Sequence, residues 1–351
     1  MTKIMTARRN GPRRAAGLLA LIVPALLLSG CTGNAPAPSA SPSGEAWTSG
    51  FVAAAATETA PLTGLTVAAG SSAHPSLAAK VDNHVAARPQ VAIDRTDLVF
   101  EELVEGGITR YVAVWQSGIP DQVGPLRSIR PMDPDIIAPF GGLVAYSGGQ
   151  QRFVDGMNAT GQISAIFDYD TTGLFSRSKA TAAPHNVILA ATEFVNRNAS
   201  VAPPAQQYAY AATIAGASAV VDGAPISVIN TRFSNSSARS WTWNADAGAY
   251  LRTQDGAPDL TPEGAQLKAT NVVVLRVNVT VDQSIPKTEL IASGDASISS
   301  GGKTIAATWS KDSQTAPIRL VDGNGVTIRL APGNTWFQLV PNGTGSVDLV
   351  P

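Results

Sequence analysis

One cysteine stands in the 351 residues, Cys31, so no disulfide can form within a single chain and a cysteine-built metal centre is excluded. Histidine is nearly as scarce. A three-histidine zinc site would consume all of His74, His84 and His185, and His74 falls in a loop-like stretch. Charged residues are 15% of the chain, slightly lean for a soluble protein. There is no surplus of positive charge either: setting aside Lys3, Arg8, Arg9, Arg13 and Arg14 in the first 30 residues leaves 20 basic against 26 acidic residues, a net of −6. That balance disfavours nucleic acid as a partner, because binding a phosphate backbone needs a basic field. Also missing are a Gly-x-Ser-x-Gly elbow, a His-Glu-x-x-His pair and a Gly-x-x-x-x-Gly-Lys loop, which removes the commonest signatures of serine, zinc and nucleotide chemistry.

No apolar run is long enough for a comfortable membrane span. The longest, AAGLLALIVPALLLSG, is interrupted by Pro24 and follows the basic residues Arg8 to Arg14, the layout of a signal peptide over residues 1–30. It ends in Leu28-Ser29-Gly30-Cys31, which resembles the lipobox of bacterial lipoproteins, with small residues before a cysteine that becomes the lipid-bearing N-terminus. The residues expected after a twin-arginine pair are missing, so general secretion is expected. The implied partner is membrane lipid attached through Cys31, with the rest of the chain outside the cytoplasm. Residues 31–60 are rich in Ala, Pro, Ser, Gly and Thr and almost free of branched apolar side chains, a flexible stalk by composition.

Beyond the stalk the pattern is mixed α+β. It predicts an α/β N-terminal domain over 61–204 and a mostly antiparallel β C-terminal domain over 205–351, with strands near 225–231, 239–244, 249–253, 271–281, 302–309, 318–321, 326–330 and 336–340. A helix is expected over 187–196, which would put His185 near its N-terminus. Trp241 and Trp243 sit two apart and so share one face of a strand. Cross-strand packing is the favoured reading of that pair over a carbohydrate-stacking platform.

The densest chemistry lies between Ala92 and Pro131. Strands over 97–104 and 109–116, joined through Gly106 and Gly107, form a hairpin that carries Glu101, Glu102 and Glu105. The two-residue period puts Glu101 and Glu102 on opposite faces, so at least one carboxylate points at apolar neighbours and needs a cationic partner. Arg110, Arg127 and Arg130 are the nearest candidates. Arg127 and Arg130, three apart, share a face if the segment is helical, with Ser128 or Asp133 as a cap. Asp82, Asn83 and His84 close a buried strand, a common position for a site.

Lys80-Val81-Asp82-Asn83-His84, Ala87-Arg88-Pro89-Gln90, Val104-Glu105-Gly106-Gly107-Ile108-Thr109-Arg110, Gly124-Pro125-Leu126-Arg127-Ser128-Ile129-Arg130-Pro131 and Ala183-Pro184-His185-Asn186 together resemble the YerB family of bacterial lipoproteins. So does Gly333-Asn334-Thr335-Trp336-Phe337-Gln338 in the C-terminal half. The resemblance implies an envelope lipoprotein of two domains, and it brings no established reaction. From the residues themselves, Arg88, Arg110, Arg127 and Arg130 are expected to line a cleft for an anionic small molecule or wall polymer. Asp82, Asn83, His84, Glu101, Glu105, His185 and Asn186 complete it, because the planar guanidinium suits carboxylate and phosphate. Asp82, His84 and His185 offer a contact for one divalent cation, although a hydrogen-bonded structural role is favoured for each histidine. Two alternatives stand beside this binding site. One is an Arg–Glu network that merely pins the hairpin. The other is an envelope enzyme, a metal-assisted hydrolase or a phosphotransferase on a wall polymer or lipid-linked precursor, which a loose likeness of residues 94–130 to wall-polymer ligases of the LytR type also suggests.

Overall fold

The central feature is a strand buried along its whole length, Thr335–Pro341, which runs parallel to Asn271–Asp282 on one side and to Leu98–Leu103 on the other. Near-continuous burial of both faces explains its apolar run, as in strands covered on two sides. From Leu98–Leu103 the sheet continues through Thr109–Trp115, Leu77–Asp82, Leu143–Tyr146 and Ile163–Ile166, and in the other direction through Ser293–Ser300 and Lys303–Ser310, twelve strands in all. A six-stranded antiparallel sheet built from Val228–Ser234, Ser237–Asn244, Ala249–Gln254, Ser346–Val350 and two shorter strands packs over one face. The computed structural model describes residues 50–351, of which 54–351 form one compact unit. The expected signal peptide and lipid-bearing Cys31 lie outside the described residues.

The predicted hairpin forms as Leu98–Leu103 and Thr109–Trp115, paired antiparallel. Its turn holds Gly106 and Gly107 at φ 71° and 72°, the left-handed region that favours glycine. Both strands are almost wholly buried, so Glu101 and Glu102 are each buried on opposite faces. On one side, Phe100 stacks on Phe337 with centroids 4.6 Å apart, and Tyr208 packs on the same ring at 5.1 Å. On the other, Trp336 meets Trp241 and Tyr111 edge-on, at 5.1 and 5.4 Å.

Several sequence expectations are corrected. Strands dominate, and the half expected to be α/β carries α-helices of only five, eight and seven residues, Asp133–Ile137, Gln151–Asn158 and Ala191–Arg197. The helix expected over 187–196 begins as a strand, Val187–Ala190, because these β-branched and apolar residues complete a small sheet with Gln122–Val123 and Phe175–Arg177. His185 therefore precedes a strand. In the C-terminal half the strands Ile285–Glu289, Ser293–Ser300 and Ser346–Val350 were not legible, and the strand expected over 326–330 shrinks to Arg329–Leu330. At the other end, Thr57–Thr59, assigned to the stalk, pairs with Thr66–Ala68, so order begins before residue 61. Trp241 is fully buried and Trp243 packs on Tyr250, in keeping with the packing reading of that pair.

Candidate functional site

Residues 124–131 carry no helical turn, so the helical face that Arg127 and Arg130 would have shared does not form, and the helix expected to follow the turn starts at Asp133. Asp82 N–H donates to Pro125 O, Arg127 N–H to Lys80 O and Leu126 N–H to Val187 O, all at 2.7–2.9 Å, which threads the segment between two strands. Gly124 allows this passage: a Cβ there would come within 2.7 Å of Val187 O. Extended backbone turns Arg127 and Arg130 apart. Arg127 Nε lies 3.3 Å from Asp82 Oδ2, and Arg130 Nε donates to Glu105 Oε2 at 2.8 Å. Asp133 works as a cap of the turn, accepting from Arg130 N–H at 2.6 Å, while the Ser128 side chain caps nothing at the helix start.

Because the hairpin is buried on both faces, it carries two charged clusters back to back. On the face of Glu102, Lys80 pairs with Glu102 and with Asp133 (2.7 Å), all three buried. Arg110 sits opposite Asp82 and Glu102 in the strand register. It is buried, yet it forms no ion pair within 4 Å among the described residues. Its Nη1 donates to Ser128 O at 2.9 Å, a carbonyl that Arg130 Nη1 also reaches at 3.3 Å, and its Nε has no hydrogen-bond partner. Burial, then the charges of Arg130 and Arg127, pull the Arg110 pKa down to about 10. Glu105 is held below the usual carboxylate range: burial opposes the shift, and the hydrogen bond from Arg130 overcomes it.

Asp82 is the hub between these arginines and the histidines. Its Oδ1 accepts from His84 N–H at 3.0 Å, and its Oδ2 accepts from His185 Nδ1 at 2.6 Å. The two imidazoles stack with centroids 4.5 Å apart and planes 16° from parallel. His84 Nδ1 accepts the Ala86 amide, closing a short turn. His84 Nδ1 is engaged by an amide and His185 Nδ1 by a carboxylate, the hydrogen-bonded role favoured for each histidine over a divalent-cation contact. No group of three or more His, Cys, Asp or Glu side chains among the described residues is placed to hold a metal ion. Asn186 lies outside the cluster: it accepts from Arg177 Nη1 (2.7 Å) and donates to Ser178 O and Thr181 O, holding the loop that presents His185.

On the opposite face Glu101 meets partners the sequence reading did not supply. Arg239 Nε donates to its Oε1 at 2.7 Å and Arg252 Nη2 lies 3.1 Å from Oε2, where Arg110, Arg127 or Arg130 was expected. Burial alone would raise the Glu101 carboxyl; Arg239 and Arg252 outweigh it and hold the pKa below the usual value. Thr109, Asn83 and Gln254 complete the network, with Asn83 Nδ2 donating to Thr109 Oγ1 at 2.8 Å. Arg252 also pairs with Asp259 at 2.8 Å, and its guanidinium lies 4.8 Å from the centroid of Trp336. Arg88 belongs to this side, bound to Asn83 and 3.3 Å from Asp255. So Arg110, Arg127, Arg130, Asp82, Glu105, His84 and His185 come together, and Arg88, Asn83 and Glu101 go elsewhere.

A cleft of about 180 Å³ opens on the Arg88 side, lined by His84, Arg88, Thr109, Ser237, Arg239 and Asp255 among others, and not by His185, Arg110, Arg127 or Arg130. Two wider clefts, of about 410 and 720 Å³, are lined by none of the expected site residues.

The N-terminal-domain model of DUF3048, a protein family of unknown function, matches residues 62–203, and the C-terminal-domain model matches residues 229–337. The chain belongs to the DUF3048 family. Over 299 residues it is 25% identical to the "Putative lipoprotein YerB" of Bacillus subtilis, covering 81% of this chain and 86% of that one. The crystal structure of the YerB protein from Bacillus subtilis superposes with a TM-score of 0.72 at 23% identity, over 83% of this chain and 99% of that one, a likeness of fold. The Arg110–Arg127–Arg130 cluster lies within the family's N-terminal span. Arg239 and Arg252 lie in its C-terminal span, so the Glu101 network ties the two spans together. No helix among the described residues is long and apolar enough to cross a membrane.

Proposed function

We propose that this protein is a lipid-anchored envelope protein, facing outside the cytoplasm, that binds an anionic ligand through Arg110, Arg127 and Arg130. The observation that carries the ligand reading is the state of Arg110, a buried guanidinium with no carboxylate within ion-pairing distance, an unpartnered Nε and two more arginines close enough to depress its pKa. A purely structural network supplies a counter-charge for each buried cation, as Glu101 and Asp259 do for Arg252, because an unpaired buried charge is costly. Arg127 and Arg130 keep partial access to solvent and can complete the contact with carboxylate or phosphate oxygens. The anchor reading rests on Leu28-Ser29-Gly30-Cys31 and on the lipoprotein name of the Bacillus relative.

The ligand reading is tested by calorimetric titration of inorganic phosphate into the protein and into Arg127→Ala and Arg130→Ala. Binding is expected to weaken roughly tenfold in each, about 1.4 kcal/mol, with little change in melting temperature. Unchanged binding with a large loss of stability would mean that the arginines only pin the hairpin. For the anchor, Cys31→Ala is expected to leave uncleaved or soluble protein; a fully cleaved variant that still partitions with membranes would contradict lipidation.

A further inference from the structure

The Asp82–His185 pair is not explained by anion binding. Asp82 is 1% exposed, and its carboxylate can only accept, so the 2.6 Å contact fixes the proton of His185 on Nδ1. That leaves the lone pair on His185 Nε2, and the ring is 17% exposed, at the edge of the protein surface. His84, stacked on it, cannot take the same part: its Nδ1 lone pair is used by the Ala86 amide, so its neutral form carries the proton on Nε2. Of the two imidazoles only His185 offers a base. Arg127 shares Asp82 Oδ2 with His185, its Nε lying 3.3 Å from that oxygen, which puts a guanidinium one carboxylate away from the imidazole.

We propose that His185, oriented by Asp82, acts as general base in the hydrolysis of a phosphate ester held by Arg110, Arg127 and Arg130; the inference rests on the anion site proposed above. Phosphate is the ligand class that uses three guanidinium groups together with a base, because its charge is spread over several equatorial oxygens and its hydrolysis needs an activated water. In the step, His185 Nε2 takes a proton from water as the water oxygen bonds to phosphorus. The bond from phosphorus to the leaving oxygen breaks, and the imidazolium returns the proton to that oxygen. One ester and one water become one phosphate and one alcohol, with His185 again neutral. Asp82 is a positioning residue, since its carboxylate holds the His185 imidazole, Arg127 and the His84 amide.

The full chain, purified in detergent, is tested with p-nitrophenyl phosphate and bis(p-nitrophenyl) phosphate, and orthophosphate binding is measured in parallel. Release of p-nitrophenol by the wild type is expected, with kcat lowered at least about a hundredfold in His185→Gln while orthophosphate affinity is kept. Asp82→Asn is expected to lower kcat at little changed KM, a split that simple loosening of the fold would not produce. Orthophosphate binding without release of p-nitrophenol from either ester overturns the catalytic inference and leaves the anion site standing. Equal turnover by wild type and His185→Gln also overturns it. Absence of both binding and turnover removes the anion site and the inference together.

Discussion

Glu101 and Arg110 sit on neighbouring strands with opposite electrostatic histories. Glu101 is surrounded by two guanidinium groups, a hydroxyl and an amide, so its desolvation is matched by pairing. Replacing it with Gln leaves Arg239 and Arg252 buried with one counter-charge fewer, and removal of one partner from such a network costs about 3–5 kcal/mol. Urea denaturation of Glu101→Gln at pH 7 should therefore show a marked loss. The pH dependence has a definite sign. A carboxylate held below its unfolded value of 4.5 binds fewer protons when folded than when unfolded, so its contribution is present above pH 4.5 and fades on acidification through the folded pKa. Wild-type stability should fall on acidification below pH 4.5, and the fall should be shallower in Glu101→Gln. A wild type as stable at pH 3.5 as at pH 7 would mean that Glu101 is not carrying this charge.

Among the elements, Thr335–Pro341 matters most, because its residues pair with strands on both sides and its two faces build both hydrophobic layers. Phe337 lies between Phe100 and Tyr208 on one face, while Trp336 meets Tyr111 and Trp241 on the other. Truncating Phe337 to Ala removes a stacked ring from a site with no solvent to fill it, a change expected to cost about 3–5 kcal/mol by urea denaturation. A loss below 1 kcal/mol would show that the layer collapses around the gap. The hairpin that opposes this strand was legible in advance from the alternation of residues 97–116 and the paired glycines. The arginine segment was not: Arg127 and Arg130 at a spacing of three are compatible with a helix, and only the bonds from Asp82, Lys80 and Val187 draw the chain out straight.

The whole molecule joins the two family spans in one sheet. Leu98–Leu103 from the first span is zipped to Thr335–Pro341 at the end of the second, and the Glu101 network crosses between the sheets at the same place. Cutting there would expose an edge strand and strand a buried carboxylate. Heat or denaturant should thus unfold residues 54–351 in one transition, with far-ultraviolet circular dichroism and tryptophan fluorescence coinciding. Separate transitions for the two spans would contradict this coupling.

Local features of the chain were enough to indicate the hairpin and the identity of the polar residues, because composition and two-residue periodicity act over a few positions. Partnership was settled over long distances. That Glu101 would find Arg239 and Arg252, that Lys80 would sit between Glu102 and Asp133, and that Asp82 would gather His185 and Arg127 follows from pairings 22 to 151 residues apart. Lys80, inside the apolar run Leu77–Asp82, did carry a warning, since a buried lysine demands a carboxylate. No pattern in the chain names which one, because the choice depends on strand order, and strand order is fixed only when two sheets close over a common core.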